Sequence, residues 1–331
     1  DVPGHGRTVS LGSASRSGRS RPDCAGPNAG FRCIRDEGKR REKQPGMQLT
    51  TRLSAYVAMT KPLQTGLLLA TGLAGYLSAR PSAPGWGALV GVAGSLWLAI
   101  SGSTLINMFC DRDIDACMGR TARRPIPTGR VSPREALWVG VVSVGAGLGW
   151  ALAMSVPYGL VVLAGFFFDV VVYTLWLKRR TAWSIVWGGI AGGMPVLAGR
   201  TLRAGGLDAI GVLLAAAVVL WIPTHMVTFS IRHAEEYRRA GVPVLPNTLG
   251  ECPARSVVAA SSVAAVVTIA VAAYLVGLSA AALLVMWVLC GALVAAAAAG
   301  ALRPSPALDF GLYKFASLYM LGTMALIAVG A

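Results

Sequence analysis

Asn107, Asp111 and Asp115 recur at four-residue intervals in the segment NMFCDRDIDACMGR. An amide and two carboxylates at that spacing stack along one face of a helix. Only ten acidic residues follow position 62, and Asp111, Asp113 and Asp115 are three of them. Mg2+ prefers hard oxygen ligands and is commonly shared between carboxylates and substrate phosphates. Arg120, Arg123 and Arg124 come directly after, and guanidinium groups neutralise phosphate oxygens. The chemistry that fits is diphosphate handling: Asp111 and Asp115 hold Mg2+, the diphosphate becomes a good leaving group, and an allylic chain ionises toward a carbocation. The metal then serves as Lewis acid and template. A solvated helix end with ordinary charges accounts for Arg112 and Asp113, but less well for the whole stripe.

A second polar patch lies further along, in WIPTHMVTFSIRHAEEYRRAGVPVLPNTLGE. His225 and Thr228 precede His233, Glu235, Glu236, Tyr237, Arg238 and Arg239. Glu236 and Tyr237 are read as functional, and two such patches on one face would bracket a polyanionic ligand. His225 has two readings, a catalytic residue or a satisfied core histidine. Lys178, Arg179 and Arg180 read both as a positive anchor and as phosphate contacts, and Lys61, in TKP, reads the same way. Asp169, in FFFDVVVYT, lies inside an apolar run, where a carboxylate has to face a protein cavity or stay protonated.

The elements that position these groups follow from composition. The 331 residues are 54% hydrophobic and only 14% charged, against about 25% in soluble domains. Helix-sized apolar runs occupy 63–79, 87–110, 135–154, 157–177, 183–199, 209–231, 255–276, 279–300 and 311–330. Roughly 20 apolar residues cross the hydrocarbon layer, and in lipid the backbone has to satisfy itself within each segment. The fold class expected is therefore all-α: a polytopic membrane protein of about nine spans. Small-residue stretches at 188–193 and 295–301 suit close helix packing.

The formal charge of +15 is not a nucleic-acid signal, because twelve of 30 Lys/Arg precede residue 63 and most of the others sit in short loops between the apolar runs. Loops after the even-numbered spans hold 15 basic residues and the opposite loops only Arg80, Arg200 and Arg203. This bias places the amino terminus and both polar patches in the cytoplasm and the carboxyl terminus outside. Residues 1–46 are rich in Gly, Ser, Arg and Pro, and Met47 opens a stretch that reads like a natural amino terminus. They are read as a disordered basic leader, native or not. The six cysteines show no C-x-x-C pairing and no finger-like spacing with the three histidines.

The N-x-x-x-D-x-x-x-D segment at 107–115 resembles the first signature of the UbiA-type intramembrane prenyltransferases. The run D-x-D-x-x-M-x-R-T-x-x-R-P-x-P-x-G-x-x-S-P (113–133) resembles their protoheme IX farnesyltransferase branch, as do Y-T-x-x-L-K-R-R-T (173–181), H-x(10)-E-Y-x-x-A-G-V-P-x-L-P (225–246) and TKP (60–62). The resemblance covers 47–331. It implies a nine-helix prenyltransferase domain around a central cavity in the inner membrane, with farnesyl diphosphate as donor, Mg2+ as cofactor and haem B as acceptor. It implies haem A synthase or terminal oxidase assembly factors as neighbours. It also implies that Asn107, Asp111 and Asp115 hold the metal-bound diphosphate, that Arg120, Arg124 and Lys178 bind its oxygens, and that His225 lies near the acceptor. Several positions depart from the branch: Met226 and Val227 replace Phe-Trp after His225, Ser184 replaces Asn, Arg200 replaces Trp, Val196 replaces Pro, and Asp169 stands where an aromatic is expected. The diphosphate residues are unchanged, so donor chemistry is better supported than acceptor identity. A quinone precursor, a chlorophyll-like ring or a lipid headgroup remains an alternative acceptor. A transporter, with polar groups near mid-membrane, is the alternative of another class.

Overall fold

The computed structural model describes residues 49–79 and 85–330, and every regular element among them is helical. The leader expected over 1–46 lies outside the described residues, as does Arg80. A short helix α1 (Leu49–Met59) precedes α2 (Pro62–Ser78), α3 (Trp86–Cys110) and the short α4 (Arg112–Cys117). Next come α5 (Pro133–Met154) and α6 (Val156–Phe166), which runs on as a π-helix over Phe167–Leu177. The chain continues through α7 (Ser184–Ala204), α8 (Ala209–Arg232), α9 (Ala234–Arg239) and α10 (Leu245–Thr248). It ends with α11 (Glu251–Val276), α12 (Ala280–Leu302) and α13 (Pro306–Gly330).

Seven of these are long and apolar enough to cross a membrane: α3, α5, α6 with its π-helical continuation, α8, α11, α12 and α13. The chain is a polytopic membrane protein. The other two expected spans form helices but fall short of that measure, for physical reasons. α2 has 17 residues. α7 carries Pro195, Arg200 and Arg203 and is rich in glycine. Both pack against other helices, so lipid-facing apolarity is not demanded of them. Where they cross, a Cβ on Gly199 would lie 1.9 Å from the Gly72 carbonyl oxygen, and one on Gly75 2.0 Å from that of Val196. Only glycine permits this approach.

α3 packs along α5, α8 along α7 and α11, and α13 closes against α2 and α8. Two ion pairs built on buried arginines pin the ends. Arg200 Nε donates to both Asp208 carboxylate oxygens at 2.9 and 2.8 Å, and its Nη1 donates to the Ser78 carbonyl at 3.0 Å. Asp208 also caps α8 by accepting from Gly211 N at 2.9 Å. This joins α2, α7 and α8 at the end away from the acidic stripe and accounts for arginine at 200. At the other end Arg255 is paired with Asp309 and donates to the Gly300 carbonyl at 3.1 Å, tying α11, α12 and α13.

Candidate active site

Helix α3 ends at Cys110, and Asp111 adopts φ −94° and ψ 6° before α4 resumes. That bridge region is sparsely populated and is where many active-site residues sit. Backbone bonds from Asp111 N to the Asn107 carbonyl (2.9 Å) and from Asp115 N to the Asp111 carbonyl (2.8 Å) cross the bend. The stripe therefore survives as a ladder of three groups, each with a different partner. Asn107 meets the π-helix: its Nδ2 donates to Asp169 Oδ2 and its Oδ1 accepts from the Thr174 hydroxyl, both at 2.9 Å. Asp111 is buried and paired with the Lys178 ammonium. Its other oxygen, Oδ1, is buried without a hydrogen-bond partner. Asp115, also buried, accepts from Arg124 at 2.8 and 2.7 Å.

The loop after α4 holds Arg124 in place, and its sequence explains how. Thr121 Oγ1 donates to the Asp115 carbonyl at 2.9 Å. Ile126 and Val131 bury against Ala55 and Met59 of α1 and Leu105 and Met108 of α3. Gly129 takes φ 71°, a left-handed turn that favours glycine. Ser132 then caps α5 and Pro133 occupies its first turn. The R-T-x-x-R-P-x-P-x-G-x-x-S-P run is thus a folded clip that presents Arg124 to Asp115.

Lys61 is the only non-glycine residue with positive φ among the described residues (φ 47°, ψ 65°). A left-handed residue with a side chain costs about 1–3 kcal/mol and is commonly retained where function needs it. Its ammonium lies within the electrostatic reach of Arg124, Lys178, Asp169 and Asp115. Burial, followed by the like charges of Arg124 and Lys178, pushes the Lys61 amine down to about 8. Burial works against the Lys178 ammonium too, but Tyr173, Asp111 and Asp115 offset it and hold this lysine above its ordinary value.

The second patch meets the first through apolar contact and a shared pocket. Ile114 and Met118 bury with Val242, and Tyr237 and Ala240 pack beside them. Tyr173, Lys178, Ser184, Met226, Val227 and Tyr237 are among the residues lining one pocket between these segments. Three positions that depart from the branch pattern, Ser184, Met226 and Val227, therefore share a wall with Lys178. Glu236 Oε1 lies 3.9 Å from His233 Nδ1, and its Oε2 is buried without a partner. Burial, and next to it the charge of Arg120, pushes the His233 imidazole down.

Other expected residues make no hydrogen bond to Asp111 or Asp115. Arg179 pairs with Asp113 at 2.6 and 2.7 Å on an exposed flank. Burial raises the Asp113 carboxyl, but hydrogen bonds from Arg179 more than offset this and hold it below its usual range. Arg180 is exposed. Arg120 sits over the Phe229 ring at 4.9 Å, beside the second patch. His225 is stacked between Trp221 (5.1 Å) and Tyr313 (4.5 Å). The Ser317 hydroxyl lies 3.4 Å from its Nδ1. The sequence offers Thr174 only as part of the Y-T-x-x-L-K-R-R-T run and Asp169 without a role, because nothing in the apolar pattern signals a π-helix.

The chain belongs to the UbiA prenyltransferase family, whose profile matches residues 68–319. It is a membrane prenyltransferase. The protoheme IX farnesyltransferase of Archaeoglobus fulgidus is 44% identical over 199 residues, 60% of this chain and 70% of that protein. Among solved structures, digeranylgeranylglyceryl phosphate synthase superposes with a TM-score of 0.70 at 18% identity, covering 84% of this chain and 98% of that one. A UbiA homologue from Archaeoglobus fulgidus bound to DMAPP and Mg2+ gives 0.62 at 18% identity, covering 83% and 99%. These two likenesses establish the shared fold.

Proposed function

We propose that the protein transfers a farnesyl group from farnesyl diphosphate to a vinyl group of haem B, with Mg2+ as cofactor. The observation that carries the donor half is the buried, unpartnered Asp111 Oδ1 beside Lys178, with Asp115 and Arg124 one turn further on. An unsatisfied buried carboxylate oxygen is costly and is relieved by a hard cation. Among the described residues no three acidic, histidine or cysteine side chains converge into a metal cage. Mg2+ suits such a site, since it is usually held by one or two carboxylates plus substrate phosphates and water. Asp111 and Asp115 would hold it, and bound there it would neutralise charge on the departing diphosphate.

The chain's own residues do the rest. Lys61, Arg124 and Lys178 bind phosphate oxygens. The Asn107 amide presents a donor at the edge of the cradle, and the protein bundle shields the farnesyl chain from water. The C1–O bond breaks with its electron pair going to diphosphate, and the haem vinyl carbon bonds to the allylic carbon. Water then adds to the adjacent carbon and releases a proton, completing a hydroxyethylfarnesyl substituent. Farnesyl and haem B are favoured over other prenyl chains and acceptors by the protoheme IX farnesyltransferase relative. The charge asymmetry of the loops favours a cell-membrane protein with this site on the cytoplasmic side.

Membranes containing the protein, incubated with Mg2+, radiolabelled farnesyl diphosphate and either haem B or a phenolic acceptor, separate the readings. Label is expected in haem. Asp111→Asn and Asp115→Asn are expected to lower the rate by about 10²–10³-fold with membrane insertion unchanged. Transfer to the phenol alone overturns the haem assignment, and near-normal turnover in both variants overturns the metal assignment.

A further inference from the structure

Asp169 and Thr174 are five residues apart, and in an α-helix that separation turns the side chains about 140° from one another. They could not then grip one partner. Here the segment is π-helical, with bonds closing over five residues. The Thr174 hydroxyl reaches the Asp169 carbonyl at 3.0 Å, and Lys178 N reaches the Tyr173 carbonyl at 2.8 Å. The wider turn stacks Asp169 and Thr174 on one face, and both engage Asn107 at 2.9 Å. An ionised carboxylate only accepts, so Asp169 draws the amide nitrogen toward itself and leaves the amide oxygen facing Thr174, whose single hydroxyl hydrogen is shared between Asn107 Oδ1 and the Asp169 carbonyl. The amide oxygen is occupied by Thr174. The amide nitrogen, with one hydrogen on Asp169, keeps a second hydrogen.

We infer that Asp169 and Thr174 are positioning residues for the prenyl donor: together they lock the Asn107 amide so that it serves the diphosphate as an N–H donor, its carbonyl being already engaged by Thr174. This rests on the reading of the Asn107/Asp111/Asp115 stripe as the donor site. It assigns a task to a membrane-depth carboxylate standing where the branch pattern has an aromatic. It also gives the π-helix a function, since an α-helical segment would release one of the two contacts.

The test is equilibrium binding of the thio-diphosphate analogue of farnesyl diphosphate to the purified protein with Mg2+, alongside thermal midpoints in detergent. Asp169→Leu and Thr174→Val each remove one hydrogen bond to the amide and are expected to weaken binding about tenfold. Asp169→Asn keeps the acceptor while removing the charge, and Thr174→Ser keeps the hydroxyl, so both are expected to bind within about threefold of wild type. Equal shifts in Asp169→Leu and Asp169→Asn would mean that charge, not amide orientation, is the cause and would overturn the inference. So would wild-type binding by Thr174→Val, or losses that only track the thermal midpoint. Absence of Mg2+-dependent binding by the wild-type protein would instead overturn the donor-site reading itself.

Discussion

At the scale of single residues, the site is a set of charges already paired and waiting for a stronger partner. Arg124 lies on Asp115 and Lys178 on Asp111, so on the proposed reading each cation is held in place before a donor arrives. Lys61 differs, since it has no ion-pair partner among the described residues and its amine is pushed down to about 8 by burial and by Arg124 and Lys178. It is therefore charged below that pH and neutral above it. The terminal phosphate of the donor has finished titrating by then, its last ionisation lying near 6. The affinity for farnesyl diphosphate is expected to fall about fivefold between pH 8 and pH 9 as Lys61 loses its proton. Lys61→Arg is expected to hold affinity flat over that range, and Lys61→Met to be weak and flat throughout. A wild-type profile as flat as that of Lys61→Arg would remove Lys61 from the donor contacts. The stripe itself was legible in sequence because identical spacing and rare acidic residues are visible without a structure. What each member touches was not, because Asp169, Thr174 and Lys178 lie more than 60 positions away.

At the scale of elements, irregular geometry does the positioning: the bend at Asp111, the left-handed turn at Lys61 and the π-helix after Phe166. Apolar periodicity reads out which segments cross lipid and is blind to such departures, so helix existence was legible and local winding was not. The shortfall of α2 and α7 as spans has the same origin. Their glycines and arginines are explained by Gly72, Gly199 and Asp208 on neighbouring segments, which a scan along one segment does not see. Buried ion pairs between elements carry a stability expectation. Removing one partner of a buried pair costs about 3–5 kcal/mol, whereas replacing both by apolar residues is often neutral. Arg255→Met is therefore expected to lower the thermal midpoint in detergent markedly, and Arg255→Met with Asp309→Leu to recover most of the loss. A double variant no better than the single one would show that the Gly300 contact, not the Asp309 charge, is what Arg255 supplies.

At the scale of the molecule, the acidic stripe, its lysines and Arg124 gather at one end of the bundle, the Arg200–Asp208 pair stands at the other, and most long helices are apolar along their length. This distribution is what a prenyl transfer needs. On the proposed reading the diphosphate would be met by charge at the membrane face, and the hydrocarbon chain would be kept among apolar side chains where water is scarce. Charge asymmetry between alternate loops, visible in the sequence, supplies the expected orientation, and the family match over residues 68–319 agrees with the bundle it forms. The acceptor was the least legible part, because Ser184, Met226 and Val227, which line the pocket beside Lys178, are ordinary residues whose types announce no ligand. The most direct measurement is mass spectrometry of the product formed from haem B and farnesyl diphosphate by the purified protein in oxygen-18-labelled water, with Asp111→Asn in parallel. The account predicts a farnesylated haem carrying one heavy oxygen in its new hydroxyl, formed by the wild-type protein and suppressed in the variant. Unmodified haem with heavy-oxygen farnesol as the sole product, or equal yields from both proteins, would contradict it.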